Sequence, residues 1–146
     1  MGNAPLLRHL SAVGSELIPG VLQEFSRELH ACRQRAKKAK TLLIVVDADE
    51  FSVLERKSHL LANPPMADAD PLIVLIPCRH IETWICAATK QDVNESDDYK
   101  RNKPPEKSVI RDAAATIHGW AHNNPPPPLT CAPSLISALP EWRKIV

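Results

Sequence analysis

The sequence predicts an α/β domain in which a small parallel β-sheet is flanked by helices. Two uninterrupted apolar runs, at 41–46 and 72–76, are composed mainly of Leu, Ile and Val. Continuous apolar strands are typical of parallel sheets, because helices cover both faces of such sheets. Helical patterns alternate with these runs, which implies right-handed crossovers and a three-layer, Rossmann-like arrangement.

Helical patterns lie on either side of each predicted strand. Apolar residues at helical spacing run through 19–40, and Pro19 fits the first turn of that helix. Ser52 and Glu55 have capping-box spacing, which predicts a helix from about 52 to 62. Further helices are predicted at 81–89, at 108–122 and around 135–142, with a polar loop between the first two.

Length and composition limit the class of protein. The 146 residues suit one domain, with a poorly defined N-terminal segment at 1–18 and a Pro-rich C-terminal extension at 123–146. The 18 Lys and Arg residues nearly balance the 17 Asp and Glu residues, so the formal charge of +1 excludes a globally basic nucleic-acid binder. No apolar run approaches the roughly 18 residues that cross a membrane. The four cysteines form no C-x-x-C pair, which argues against a zinc knuckle or redox motif. We interpret them as thiols of a protein in the reducing cytoplasm.

An acidic pair, Asp47 and Asp49, follows the first predicted strand. Ligands of open α/β sheets bind outside the carboxyl ends of the strands. Residues two apart in an extended chain point the same way, so the two carboxylates would attract a hard cation such as Mg²⁺ or Mn²⁺. The alternative is a strand that ends in an ordinary polar turn. Because Glu50 adds a third acid, we favour a metal or phosphate site.

A second polar group, Arg79, His80 and Glu82, follows the second predicted strand. If the two strands are neighbours in the sheet, these residues lie at the same edge of the sheet as the acidic pair. Glu82 is then a candidate third carboxylate or water-orienting residue, with His80 as a second catalytic candidate and Arg79 as a phosphate contact. The equally weighted alternative is that Glu82 stabilises the first turn of its helix and has no role in chemistry. The zinc deaminase signature is excluded, since its Pro-Cys-x-x-Cys element is missing.

Basic residues elsewhere provide further candidate contacts with phosphate. Arg56 lies one to two turns into the helix that follows the acidic pair, where it faces a phosphate or solvent. Lys100 and Arg101 belong to a basic loop that begins with Tyr99. This loop could contact a nucleic-acid backbone. A solvated loop is the alternative for these two residues.

Three parts of the chain together form a recognisable pattern: the run 42–49, the following Arg56-Lys57, and 73–77 with His-Ile-Glu-Thr-Trp at 80–84. This pattern resembles the Toprim superfamily, in particular small Toprim-like proteins of bacteria, some of which are associated with phage defence. The resemblance covers roughly 41–103. It implies that Asp47 and Asp49 hold Mg²⁺ for phosphodiester chemistry on DNA or RNA. The family also carries a glutamate after an earlier strand, and no counterpart is found here. We therefore expect an N-terminally truncated member, or one that completes its site with a partner protein or a second copy.

Three other interpretations stay open. Without the glutamate, a Toprim-like fold could act as a non-catalytic binding or assembly module. A D-x-D pair after an apolar strand also resembles glycosyltransferases, although these normally need about a hundred residues upstream. Haloacid-dehalogenase-like phosphatases share the pattern and use the first Asp as a nucleophile. Their later lysine and acidic motifs are not found, so both enzyme classes rank below Toprim.

Overall fold

The computed structural model describes residues 19–35, 41–62, 65–89, 92–99 and 105–145. The N-terminal segment 1–18 and the predicted phosphate contacts Lys100 and Arg101 lie outside these ranges.

The sheet formed by the described residues has two short parallel strands. The first, β1 (Leu42–Val45), pairs along its whole length with β2 (Leu72–Leu75). Backbone pairing continues past both strands, because the Ala48 N–H donates a hydrogen bond of 2.9 Å to the Pro77 carbonyl. The segments after the two strands therefore stay side by side where the acidic pair begins.

Five helices surround this sheet in the described part of the chain. They are α1 (Pro19–Gln34), α2 (Val53–Leu61), α3 (Ile81–Ala88), α4 (Lys107–Ala121) and α5 (Pro133–Trp142). The prediction of a small parallel sheet flanked by helices is confirmed. None of the described helices combines the length and apolar character that a membrane span requires.

Side chains alternate between the two faces of the sheet and form two apolar cores. The face that carries Ile44 packs against Phe25 of α1 and Leu60 of α2. The opposite face, which carries Leu75, packs against α3, α4 and α5, with Trp84 completely buried among them. This arrangement corresponds to a small three-layer α/β fold. The Pro-rich extension ends in α5, which is part of the second core.

The predicted capping box begins α2. The Ser52 hydroxyl accepts a hydrogen bond of 3.1 Å from the Glu55 N–H, and the Glu55 carboxylate accepts one of 2.9 Å from the Ser52 N–H. These two bonds satisfy backbone donors that a helix start leaves without partners. They also fix the N-cap of the helix, Ser52, only three residues after Asp49, so α2 is held close to the acidic pair.

Candidate metal centre

The ends of the two strands bring three side chains of the metal-ligand type together. Asp47 and Asp49 follow β1, and His80 lies between β2 and α3. One carboxylate oxygen from each Asp and one ring nitrogen from His80 all lie within 4.8 Å of one another. Parallel strands have their carboxyl ends at one edge of the sheet, which explains how residues more than 30 positions apart meet.

Asp47 is held in place by the start of α3. Its Oδ1 accepts a hydrogen bond of 3.0 Å from the Ile81 N–H. The N-terminus of a helix carries partial positive charge, so it stabilises a carboxylate at this position. The second oxygen, Oδ2, lies 3.8 Å from Nδ1 of His80. One oxygen of Asp47 therefore caps the helix, while the other faces the imidazole.

Asp49 has a left-handed backbone, with a φ of 54°. Asp adopts this conformation more readily than most residues with a side chain. Its Oδ1 lies 3.9 Å from Nδ1 of His80, and its Oδ2 lies 3.3 Å from Nη2 of Arg56. Asp49 thus contacts the imidazole on one side and a guanidinium on the other.

Arg56 is completely buried beneath the acidic pair. Besides Asp49, its Nη2 donates to the Ala48 carbonyl at 3.3 Å, and its guanidinium carbon lies 4.7 Å from the centre of the Phe51 ring. The ring face attracts the cation. Nε and Nη1 have no hydrogen-bond partner. Arg56 therefore does not face solvent, and its contact with a phosphate stays a prediction.

His80 is only 8% exposed and presents its two ring nitrogens to different carboxylates. Nδ1 faces Asp47 and Asp49 but is buried and has no hydrogen-bond partner. Nε2 lies 3.5 Å from Oδ1 of Asp98. A buried polar atom without a partner is rare in proteins and is commonly explained by an ion or a water molecule. The orphaned Nδ1 is therefore an observation of this structure that fits a bound metal ion.

Two further candidate site residues, Glu82 and Arg79, lie outside this group. Glu82 is in the first turn of α3, where its Oε2 is buried without a hydrogen-bond partner. Arg79 has a left-handed backbone with a φ of 65°, and its guanidinium donates to the Ser96 carbonyl at 2.6 Å. Their catalytic and phosphate-binding roles, like those of Lys100 and Arg101, stay predictions.

Asp98 was not singled out from the sequence, although it contacts His80. It lies 18 positions after His80 on the 92–99 loop, and no spacing rule links the two residues. The sequence marks this position only by two adjacent acids, Asp97 and Asp98, and adjacent charged residues are common in solvated loops. Only the folded loop brings this third carboxylate to the centre.

The fold and these side chains define an α/β protein with an Asp–Asp–His centre that could hold a metal ion. No protein-family model, curated protein or solved structure matches the chain. Its function must therefore be inferred from the geometry and charge of the centre.

Proposed function

We propose that this protein is a Toprim-like domain that holds a divalent metal ion, Mg²⁺ or Mn²⁺, and uses it in phosphodiester chemistry on nucleic acid. The observation that carries the proposal is the convergence of Asp47, Asp49 and His80 within 4.8 Å at the carboxyl edge of the sheet. A D-x-D pair after a buried strand is also one part of the pattern on which the resemblance to Toprim rests, together with Arg56-Lys57 and with the second strand and the His-Ile-Glu-Thr-Trp that follows it. The proposed role is that of a cytoplasmic nuclease, as in phage defence.

The residues of the chain would divide this work. Asp47 and Asp49 would hold the ion, and His80 would be a third ligand because its Nδ1 faces both carboxylates. When bound, a divalent ion supplies Lewis-acid stabilisation of charge on a phosphoryl oxygen. Glu82 would then be the remaining candidate for proton transfer, and Arg79 and Arg56 would be candidates to contact a phosphate. Lys100 and Arg101 would contact the nucleic-acid backbone.

A second candidate function is a non-catalytic binding or assembly module, and one observation favours it. Asp47 accepts a hydrogen bond from the Ile81 N–H, and Asp49 forms an ion pair with Arg56. Both carboxylates therefore have a structural role that needs no metal ion. In this case the centre stabilises the strand ends, and the domain binds a partner protein or a second copy.

Substitution of the acidic pair tests the proposed activity. Cleavage of single-stranded DNA, double-stranded DNA and RNA is measured with Mg²⁺, with Mn²⁺ and with chelator. Asp47→Asn and Asp49→Asn should reduce metal-dependent cleavage at least about 100-fold, because even outer-shell partners of a metal contribute about 10–100-fold. The control is Asp112→Asn on α4, whose side chain is 75% exposed. This control should cleave like the wild type.

Each result separates the two candidate functions. Cleavage that persists in chelator, or that is equal in wild type and both variants, would refute the metal-dependent nuclease. Metal binding without cleavage of any of the three substrates would favour the binding module. Circular dichroism of each variant checks that the lost activity does not reflect unfolding.

A further inference from the structure

The 92–99 loop, which follows α3, is anchored beside the candidate metal centre at two points. The guanidinium of Arg79, which lies between β2 and α3, donates to the Ser96 carbonyl at 2.6 Å. On the other side, Oε1 of Glu95 accepts a hydrogen bond of 2.8 Å from the Ser134 N–H and another from the Ser134 hydroxyl. The loop is thereby tied both to the end of β2 and to the start of α5, which fixes its position relative to His80.

The anchored loop places Asp98 against one side of the His80 ring. Oδ1 of Asp98 lies 3.5 Å from Nε2, whereas Asp47 and Asp49 lie 3.8 and 3.9 Å from Nδ1. A neutral imidazole carries its proton on one nitrogen and a lone pair on the other. A proton on Nε2 would be directed at Asp98, which leaves the buried Nδ1 lone pair facing the acidic pair.

We propose that Asp98 is a positioning residue that fixes this tautomer of His80, so that the centre binds a first-row transition metal ion such as Mn²⁺ through Nδ1 and prefers it to Mg²⁺. The proposal rests on the metal binding proposed above and adds the nature of the ion. Metal-ligating histidines almost always donate their other N–H to a carboxylate, a carbonyl or water. An imidazole ligand suits transition metal ions such as Fe²⁺, Ni²⁺ and Zn²⁺, whereas Mg²⁺ takes oxygen ligands. Mn²⁺, which binds most weakly in this series, serves as the paramagnetic probe of the site.

The charges around His80 agree with this assignment. Three carboxylates, those of Asp47, Asp49 and Asp98, contact the ring, and the buried guanidinium of Arg56 offsets one of them. A bound ion would be the largest charge in such a site and would also occupy the space that the orphaned Nδ1 faces.

Electron paramagnetic resonance of Mn²⁺ bound to the full chain tests the proposal. Asp98→Asn should weaken Mn²⁺ binding about 10–100-fold, while Asp97→Asn should stay within about twofold of wild type. Asp97 is the matched control because it is the exposed acid next to Asp98 on the same loop. Asp98→Glu should restore part of the affinity. Mg²⁺ should displace Mn²⁺ only at concentrations at least about tenfold higher.

Nitrogen hyperfine coupling to Mn²⁺, measured by pulsed methods, distinguishes ligation from a merely structural role. We expect this coupling in the wild type and its loss in His80→Gln. Mn²⁺ binding without nitrogen coupling would overturn the assignment of His80 as a ligand, yet the metal centre of the acidic pair would stand. Equal Mn²⁺ affinities for Asp98→Asn and Asp97→Asn would overturn the role of Asp98. If neither Mn²⁺ nor Mg²⁺ binds the wild type, the proposed function fails as well.

Discussion

Arg56 combines complete burial with incomplete hydrogen bonding. A buried ion pair is often no more stable than apolar residues of similar volume, but loss of one partner leaves the other charge uncompensated. Arg56→Met should therefore lower the free energy of unfolding of the metal-free protein by about 3 kcal/mol. This is the lower end of the range for buried pairs, because the Asp49 side chain keeps 14% exposure. Denaturant titration measures the change.

The double variant shows whether charge causes that loss. Adding Asp49→Asn to Arg56→Met also removes the carboxylate that pairs with the guanidinium, so the two substitutions should be non-additive by about 1–3 kcal/mol. Lys57→Met is the control, since Lys57 is the exposed neighbour of Arg56 on α2. If Arg56→Met is as stable as this control, the guanidinium does not offset the charge of the acidic pair.

The centre could be predicted from the sequence only in part. Asp47 and Asp49 follow a continuous apolar strand, and this local pattern was enough to place them at a sheet edge. The same reasoning pointed to the segment after β2, from which the structure brings His80 to the pair. The contacts of Arg56 and Asp98 could not be predicted. They depend on which way a helix faces and on how a distant loop is anchored, and neither leaves a spacing pattern in the sequence.

Gly119 allows the chain after α4 to pass close to that helix. A Cβ at this position would lie 2.7 Å from the Asn124 carbonyl oxygen, and the Asn124 N–H donates to the Gly119 carbonyl at 2.9 Å. Replacing Gly by Ala in a helix normally stabilises it by up to about 1 kcal/mol. Here the added methyl meets backbone, so Gly119→Ala should destabilise the protein by about 1–3 kcal/mol.

The thermal midpoint of Gly119→Ala, compared with that of Ala115→Gly, tests this close contact. Ala115 is exposed on the same helix, so its change to Gly should show only the ordinary helix cost of about 0.5–1 kcal/mol. A Gly119→Ala variant more stable than wild type would mean that the segment after α4 moves away without cost.

The helices and strands were predictable because their signals are local. Apolar periodicity located α1 and α3 to α5, the capping box located α2, and the two apolar runs contain β1 and β2. Side-chain contacts across long sequence separations have no such signal. Glu95 contacts Ser134 across 39 positions, and Trp84 donates to the same hydroxyl at 2.9 Å across 50 positions. Such contacts follow from tertiary packing, which brings the start of α5 beside α3.

A bidentate ion pair connects the outer helix α1 to the segment that leads into β2. Nε and Nη2 of Arg33 donate to the two carboxylate oxygens of Asp70 at 2.7 and 2.6 Å. The same guanidinium donates to the Pro65 carbonyl at 2.9 Å, and the Ala67 N–H donates to Asp70 at 2.8 Å. Paired planar groups of this kind are more strongly bound than single hydrogen bonds. The pair thus joins one outer layer of the fold to the strand layer.

This ion pair should make the stability of the whole domain depend on pH in the acid range. The hydrogen bonds from Arg33, and next the one from the Ala67 N–H, lower the pKa of Asp70 from 3.8 to about 2. A carboxyl whose pKa is lower in the folded protein stabilises the fold above its unfolded pKa, and this contribution disappears as it is protonated. Stability should therefore be fully present above a pH of about 3.8 and fall as the pH drops towards about 2.

Asp70→Asn is expected to remove that part of the pH dependence. The variant should be less stable than wild type at neutral pH, and the difference should shrink steadily as the pH falls from about 3.8 to about 2. Urea unfolding at a series of pH values measures both curves. Asp68→Asn, an exposed acid in the same segment, should keep the wild-type slope over this range. A constant difference between wild type and Asp70→Asn at every pH would show that the ion pair does not control the acid stability, because a linked protonation must change the difference as the carboxylate titrates.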